Sequence, residues 1–140
     1  MSGESVFLDT AGWIALLNAS DALHERASQL WRTLIDENHS VLLTDWIIAE
    51  TGNGLARTPA RERFTAAVQL MRSSPRVQLI FVTSELLERA LTLYGERTDK
   101  TWGLVDCASF LIMRDNSLQD AFTTDRHFEQ AGFRCLLPLL

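Results

Sequence analysis

Apolar and polar positions along the chain fall into two alternating patterns. Short apolar runs occur at Val6-Phe7-Leu8, Val41-Leu42-Leu43, 77–82 and Ala121-Phe122-Thr123, and longer stretches with apolar residues at helical spacing separate them. In the longest of these, over 21–38, Leu23, Ala27, Leu30, Trp31, Leu34 and Ile35 recur three or four residues apart. Glu25, Arg26, Gln29 and Arg32 fall on the other side, the period of an amphipathic helix. Further helices are predicted over 12–17, from Thr44 or Asp45 through Glu50, and over 58–72 with Pro59 in the first turn. Others are predicted from Thr83 or Ser84 to Tyr94-Gly95, over 104–114, and over 125–131 with Gly132 closing the last. Residues 134–137 form a candidate fifth strand.

Strands that are apolar throughout, with no polar alternation, have both faces covered. Alternated with helices, they predict an α/β fold: a three-layer α/β/α domain over residues 1–140, with a central parallel sheet of four or five short strands. Such sheets bind ligands outside the carboxyl ends of their strands.

Composition narrows the class without naming it. A chain of 140 residues that is 46% hydrophobic and 22% charged can bury a core without disulfides, which excludes an intrinsically disordered protein. Cys107 and Cys135 form no CxxC pair, and two buried free thiols are expected. No apolar run approaches the roughly 20 residues of a membrane span, and Met1 to Ser5 carry no basic region, so a cytoplasmic protein with no membrane partner is expected. A net charge of −5 argues against a protein held on nucleic acid by bulk electrostatics. It leaves room for a nuclease, because clustered carboxylates lower the net charge and bound cations restore it locally.

The acids have a telling distribution. Asp9 directly follows the first strand, and Asp125 follows the fourth in Thr123-Thr124-Asp125. Glu50 lies on the helix after the second strand, and Asp106 begins the helix that leads to the fourth. Taken singly, Asp9 and Asp125 read equally well as helix N-caps, and Glu50 and Asp106 as surface acids. Taken together, one metal site at the sheet edge accounts for all four. Carboxylates so close repel unless a cation joins them, and Mg²⁺ or Mn²⁺ prefers such oxygen ligands. Phosphodiester hydrolysis is the chemistry such a site supports. Asp9 and Asp106 are the expected main ligands, with Asp125 and Glu50 closer to water-mediated roles.

Val6-Phe7-Leu8-Asp9-Thr10, Leu43-Thr44-Asp45-Trp46-Ile47-Ile48-Ala49-Glu50, 99–110 and Ala121-Phe122-Thr123-Thr124-Asp125-Arg126-His127-Phe128, followed by Gln130-Ala131-Gly132-Phe133, resemble the PIN domain from end to end. The resemblance implies an Mg²⁺- or Mn²⁺-dependent endoribonuclease acting on RNA. In it Asp9, Glu50, Asp106 and Asp125 match the catalytic quartet, with Asp9, Asp106 and Asp125 on the metal. Many PIN proteins of this size resemble VapC-type toxins of type II toxin–antitoxin systems, neutralised by a cognate antitoxin and often homodimeric. Gly103 departs from the Ser or Thr common there and removes a helix cap before Asp106. Asp99 is an extra acid, either a loop acid or a group supporting the site, and the hydroxyls of Thr10 and Thr124 are candidate supports for the ligands.

Other polar residues read as structural. Asp21 and His24 are expected as a cap and a surface histidine, and His39 and His127 as surface residues. Arg126 is balanced between a phosphate contact and a surface role. The four tryptophans are expected in the core or an interface. Gly52-Asn53-Gly54 lacks the lysine and preceding strand of a phosphate loop, and no GxSxG elbow is present. Trp31, Leu34, Leu55, Phe64 and Leu70 outnumber what a small core readily absorbs. Some are therefore expected to form a surface for self-association and for an antitoxin helix. A PIN nuclease in RNA processing without an antitoxin, or a non-catalytic interaction module, are the alternatives; four intact acids argue against the second.

Overall fold

The computed structural model describes residues 4–137. Its sheet has five strands: β1 (Val6–Leu8), β2 (Val41–Thr44), β3 (Val77–Ile80), β4 (Asp120–Phe122) and β5 (Arg134–Cys135). They run in the order β3-β2-β1-β4-β5, and every neighbouring pair is parallel. β1, β2 and β4 are buried at every residue, as their continuous apolar character requires, whereas the edge strands β3 and β5 are partly exposed. Asp120 is the charged exception inside these strands; its carboxylate takes two hydrogen bonds, 2.9 and 2.8 Å long, from its register partner Arg134.

Among the described residues seven helices flank the sheet: α1 (Thr10–Leu17), α2 (His24–Asp36), α3 (Asp45–Leu55), α4 (Arg61–Ser73), α5 (Ser84–Glu96), α6 (Leu104–Asp115) and α7 (Arg126–Gln130). α1 packs on α2 and α3, α3 on α4, and α5 on α6. The expected three-layer α/β/α arrangement is the one observed, with five parallel strands where four or five were expected. Thr44 caps α3 through the Ile47 N–H, and Thr83 caps α5 through the Leu86 N–H, each at 3.1 Å.

Helix boundaries differ from expectation in several places: α1 starts at Thr10 rather than at residue 12, and three others have a clear local reason. α2 starts at His24 because Asp21 accepts the Leu23 N–H at 2.9 Å and holds a turn before it. α3 does not stop near Glu50 but runs on through both glycines to Leu55. A Cβ at Gly52 would lie 2.9 Å from the Phe64 ring and one at Gly54 2.7 Å from Ile14, so these glycines admit close helix neighbours. α4 starts at Arg61, since the Thr58 hydroxyl is spent on the Leu55 carbonyl at 2.9 Å, which closes α3.

The core lies on both sides of β1, β2 and β4 and includes both cysteines, which are free and buried as expected. All four tryptophans pack in or against it. The surplus of apolar residues on the early helices is mostly absorbed. Leu34 and Leu55 are buried, Trp31 meets Phe122 edge-on at 5.6 Å, and Phe64 meets Trp13 at 5.4 Å. Of these five residues, some of which were expected to form a surface, Leu70 alone is widely exposed, at 71%.

Candidate metal centre

The strand order reverses direction between β1 and β4, because the chain builds β2 and β3 on one side of β1 and β4 and β5 on the other. The carboxyl ends at that reversal form the natural ligand crevice of such a sheet. Parallel register sets Leu8 beside Phe122, so the next residues, Asp9 and Thr123, emerge side by side. The Thr123 hydroxyl donates to Asp9 Oδ2 at 2.7 Å and accepts the Asp125 N–H at 3.0 Å. Asp9 occupies the N-cap position of α1 yet makes no side-chain cap bond; its carboxylate turns to Thr123 instead. Asp125 does cap, accepting the His127 N–H at 2.9 Å, and still lies in the cluster.

Asp106 reaches the crevice from the first turn of α6. With Gly103 at the N-cap no side-chain hydroxyl is available, and the Gly103 N–H instead donates to Asp106 Oδ2 at 3.0 Å. That bond fixes the carboxylate, so the departure at Gly103 costs the helix a cap without disordering the acid. His127 Nδ1 lies 3.3 Å from both Asp106 Oδ2 and Asp125 Oδ1. Nδ1 thus faces one oxygen of each carboxylate. Nε2 lies 3.1 Å from the Thr101 hydroxyl. Ligand atoms of Asp106, Asp125 and His127 fall within 4.8 Å of one another.

The expectation that His127 is a surface residue is therefore corrected: α7 turns its ring into the acids. The spacing Asp125-x-His127 at a helix start was the available signal. Thr123 was also missed, because its place beside Asp9 depends on strand register. The Thr10 hydroxyl is buried with no partner among the described residues. Glu50 is exposed on α3 and close enough for its charge to act on Asp106. Asp99 is held by Arg97, at 2.9 and 3.0 Å, and belongs to a neighbouring loop. His24 and His39 bond to backbone carbonyls of Ala15 and Glu4 at 2.9 and 2.6 Å, which gives both structural roles.

The electrostatics are those of a cation site. Asp9 is 3% exposed, and its carboxyl is pushed up to about 7. Burial is the main cause, Asp106 and Asp125 add to it, and the Thr123 hydroxyl and Thr10 N–H oppose it. Asp106 is also raised, first by burial, then by Asp125 and Glu50, against the pull of the Gly103 N–H and His127. A divalent ion would remove that cost, and the hard oxygen donors with one imidazole suit it. The residues thus fit a divalent metal.

This fold and this acidic crevice define the PIN domain, and residues 6–134 match that family, so the chain belongs to it. Within it, the chain is 33% identical over 128 residues to the 23S rRNA-specific endonuclease VapC20 from two strains of Mycobacterium tuberculosis, covering 91% of this chain and 95% of that protein. The crystal structure of Mycobacterium tuberculosis VapC20, described as a sarcin–ricin loop cleaving toxin, matches with a TM-score of 0.84 at 32% identity, covering 95% of this chain and 99% of that one. The chain is thus a homologue of a VapC toxin. VapBC2 from Rickettsia felis, solved bound to a DNA fragment from their promoter, shares the fold at a TM-score of 0.62 and 14% identity, covering 91% and 93%. No helix among the described residues is long and apolar enough to cross a membrane.

Proposed function

We propose that this protein is an Mg²⁺- or Mn²⁺-dependent endoribonuclease, the toxin of a toxin–antitoxin pair, which acts on ribosomal RNA in the cytoplasm. The observation that carries the reading is the convergence of Asp9, Asp106 and Asp125 at the β1/β4 crevice, with Asp9 driven up to about 7 by burial and by its neighbours. Asp9, Asp106 and Asp125 would hold the ion, and Glu50 borders it from α3. When bound, the cation supplies Lewis acidity at the scissile phosphate and lowers the pKa of the attacking water.

The chain's own groups prepare that site. Thr123 fixes Asp9 and the backbone of Asp125 with one hydroxyl. The Gly103 N–H orients Asp106, and the α7 backbone orients Asp125. His127 Nδ1 lies 3.3 Å from an oxygen of each of two carboxylates, and the imidazole opposes the rise of Asp106. Carboxylate positioning therefore comes from backbone donors and one hydroxyl, at the end of β4 and at the starts of α6 and α7.

The substrate class is supported by the 33% identity to an endonuclease that is specific for 23S rRNA. An antitoxin partner is supported by a groove of about 280 Å³ lined by Leu17, Trp31, Ile35, Leu70 and Met71, which suits the apolar face of a helix. A homodimer is the expected assembly, read by light scattering. The deciding experiment incubates purified ribosomal RNA with the protein in Mg²⁺, in Mn²⁺ and in EDTA, beside Asp9→Asn and Asp106→Asn. Discrete cleavage products are expected only for wild type with metal. Equal cleavage by the Asp9→Asn protein, or in EDTA, would overturn the assignment.

A further inference from the structure

We propose that the pocket beside the acidic crevice, between the end of α5 and the start of α6, binds the single nucleotide that adjoins the scissile phosphate. The proposal rests on the endoribonuclease reading above. The pocket encloses about 330 Å³ and is walled by Tyr94, Arg97, Lys100, Thr101 and Trp102. That size is at the lower end for small-ligand sites, roughly 300–1,000 Å³, and suits one nucleotide rather than a paired stem.

The lining has the chemistry of a single-strand subsite, in which aromatic or guanidinium planes stack a base and a cation meets the phosphate. Tyr94 is 53% exposed, a ring left uncovered at the rim. Arg97 lies with its guanidinium carbon 4.9 Å from the centre of the Trp102 ring. Asp99 grips the Nε and Nη2 edge of that guanidinium and so fixes its plane. Trp102 is fixed in turn, donating its indole N–H to Gln130 at 3.0 Å and meeting Phe110 edge-on at 5.0 Å. The wall is therefore rigid before any ligand arrives, which lowers the ordering cost of binding. Asp99, the extra acid of the sequence, finds its role here as the residue that orients Arg97.

Lys100 is the only lysine in a chain of net charge −5. Its place in this pocket puts a positive charge beside the acidic crevice, where an RNA strand without metal would be repelled. The pocket and the crevice are joined through one imidazole. Thr101, in the pocket wall, contacts His127 Nε2 at 3.1 Å, and His127 Nδ1 lies 3.3 Å from Asp106 and Asp125. Cys107, which also lines the pocket, directly follows Asp106. A strand with one phosphate at the acids thus meets this pocket with its next nucleotide.

The test is steady-state cleavage of purified ribosomal RNA at saturating Mn²⁺ by wild type, Tyr94→Ala, Lys100→Ala and Lys100→Arg, with Arg72→Ala on α4 as control. Tyr94→Ala and Lys100→Ala are expected to raise KM at least about fivefold, the low end for loss of one stacked base, with kcat nearly unchanged. Lys100→Arg is expected to recover most of the lost KM, and Arg72→Ala to match wild type. If wild type cleaves and Tyr94→Ala and Lys100→Ala keep its KM, the subsite is refuted while the endoribonuclease reading stands. If they lower kcat at unchanged KM, the pocket serves the architecture of the site and the subsite is again refuted. Failure of wild type itself to cleave would remove the underlying reading and the subsite with it.

Discussion

Neutralising Asp9 is expected to stabilise the metal-free protein at alkaline pH. Asp9 titrates near its ordinary 3.8 when unfolded, but burial, Asp106 and Asp125 push it up to about 7 in the folded chain. Between those values the folded state holds a proton that the unfolded state has lost, so stability falls as pH rises. The contribution is fully present below 3.8 and is gone above about 7. At about 1.4 kcal/mol per pH unit the whole interval is worth up to about 4 kcal/mol. Asn keeps an acceptor for the Thr123 hydroxyl and removes the charge, while its buried amide donors cost about 1–3 kcal/mol if left unpaired. A net gain of about 2 kcal/mol is expected above pH 8, roughly 8 °C in Tm for a domain of this size. Urea denaturation in EDTA at several pH values from 4 to 8.5 measures it. The advantage of Asp9→Asn should grow from about pH 4 to about pH 7, flatten above, and vanish or reverse at the acid end. Saturating Mn²⁺ should then reverse the order at pH 8, since an ion at 100 times its Kd adds about 2.7 kcal/mol to wild type alone. A stability difference that does not change with pH, or an Asn variant that gains equally from Mn²⁺, would refute this account of the crevice.

Thr123→Val keeps the shape of a residue that is 0% exposed but leaves Asp9 without its hydroxyl donor and the Asp125 N–H without its acceptor. Urea denaturation should show a loss of about 2–3 kcal/mol, and a variant as stable as wild type would contradict the clamp. His127→Ala should weaken apparent Mn²⁺ affinity by about tenfold, with the maximal cleavage rate largely retained at saturating ion. A maximal rate as low as that of Asp9→Asn would instead assign the imidazole to the reaction itself. Gly12→Ala would drive a methyl group into the Phe122 carbonyl where α1 crosses the end of β4, and should cost about 3 kcal/mol or more in thermal or urea unfolding.

The sequence by itself determined the layers and the acids. Val6-Phe7-Leu8 and Val41-Leu42-Leu43 are too short and too uniformly apolar for anything but strands buried on both faces, and periodicity of the intervening stretches required helices. Strand ends at Asp9 and before Asp125, with Glu50 and Asp106 on adjoining helices, were enough to assemble a candidate metal site. What only the tertiary structure decided depends on register, rotation and fit between distant segments. The pairing of Leu8 with Phe122 made Thr123 the partner of Asp9, since a shift of one residue turns a side chain to the other face. The rotation of a five-residue helix carried His127 from an expected surface position to the space between Asp106 and Asp125. Long-range fit also let Trp31, Leu34, Leu55 and Phe64 find partners while Leu70 stayed exposed, whereas Asp99 pairs locally with Arg97, two residues away. Local sequence records which residues are apolar or acidic; which of them meet is settled by contacts between residues tens of positions apart.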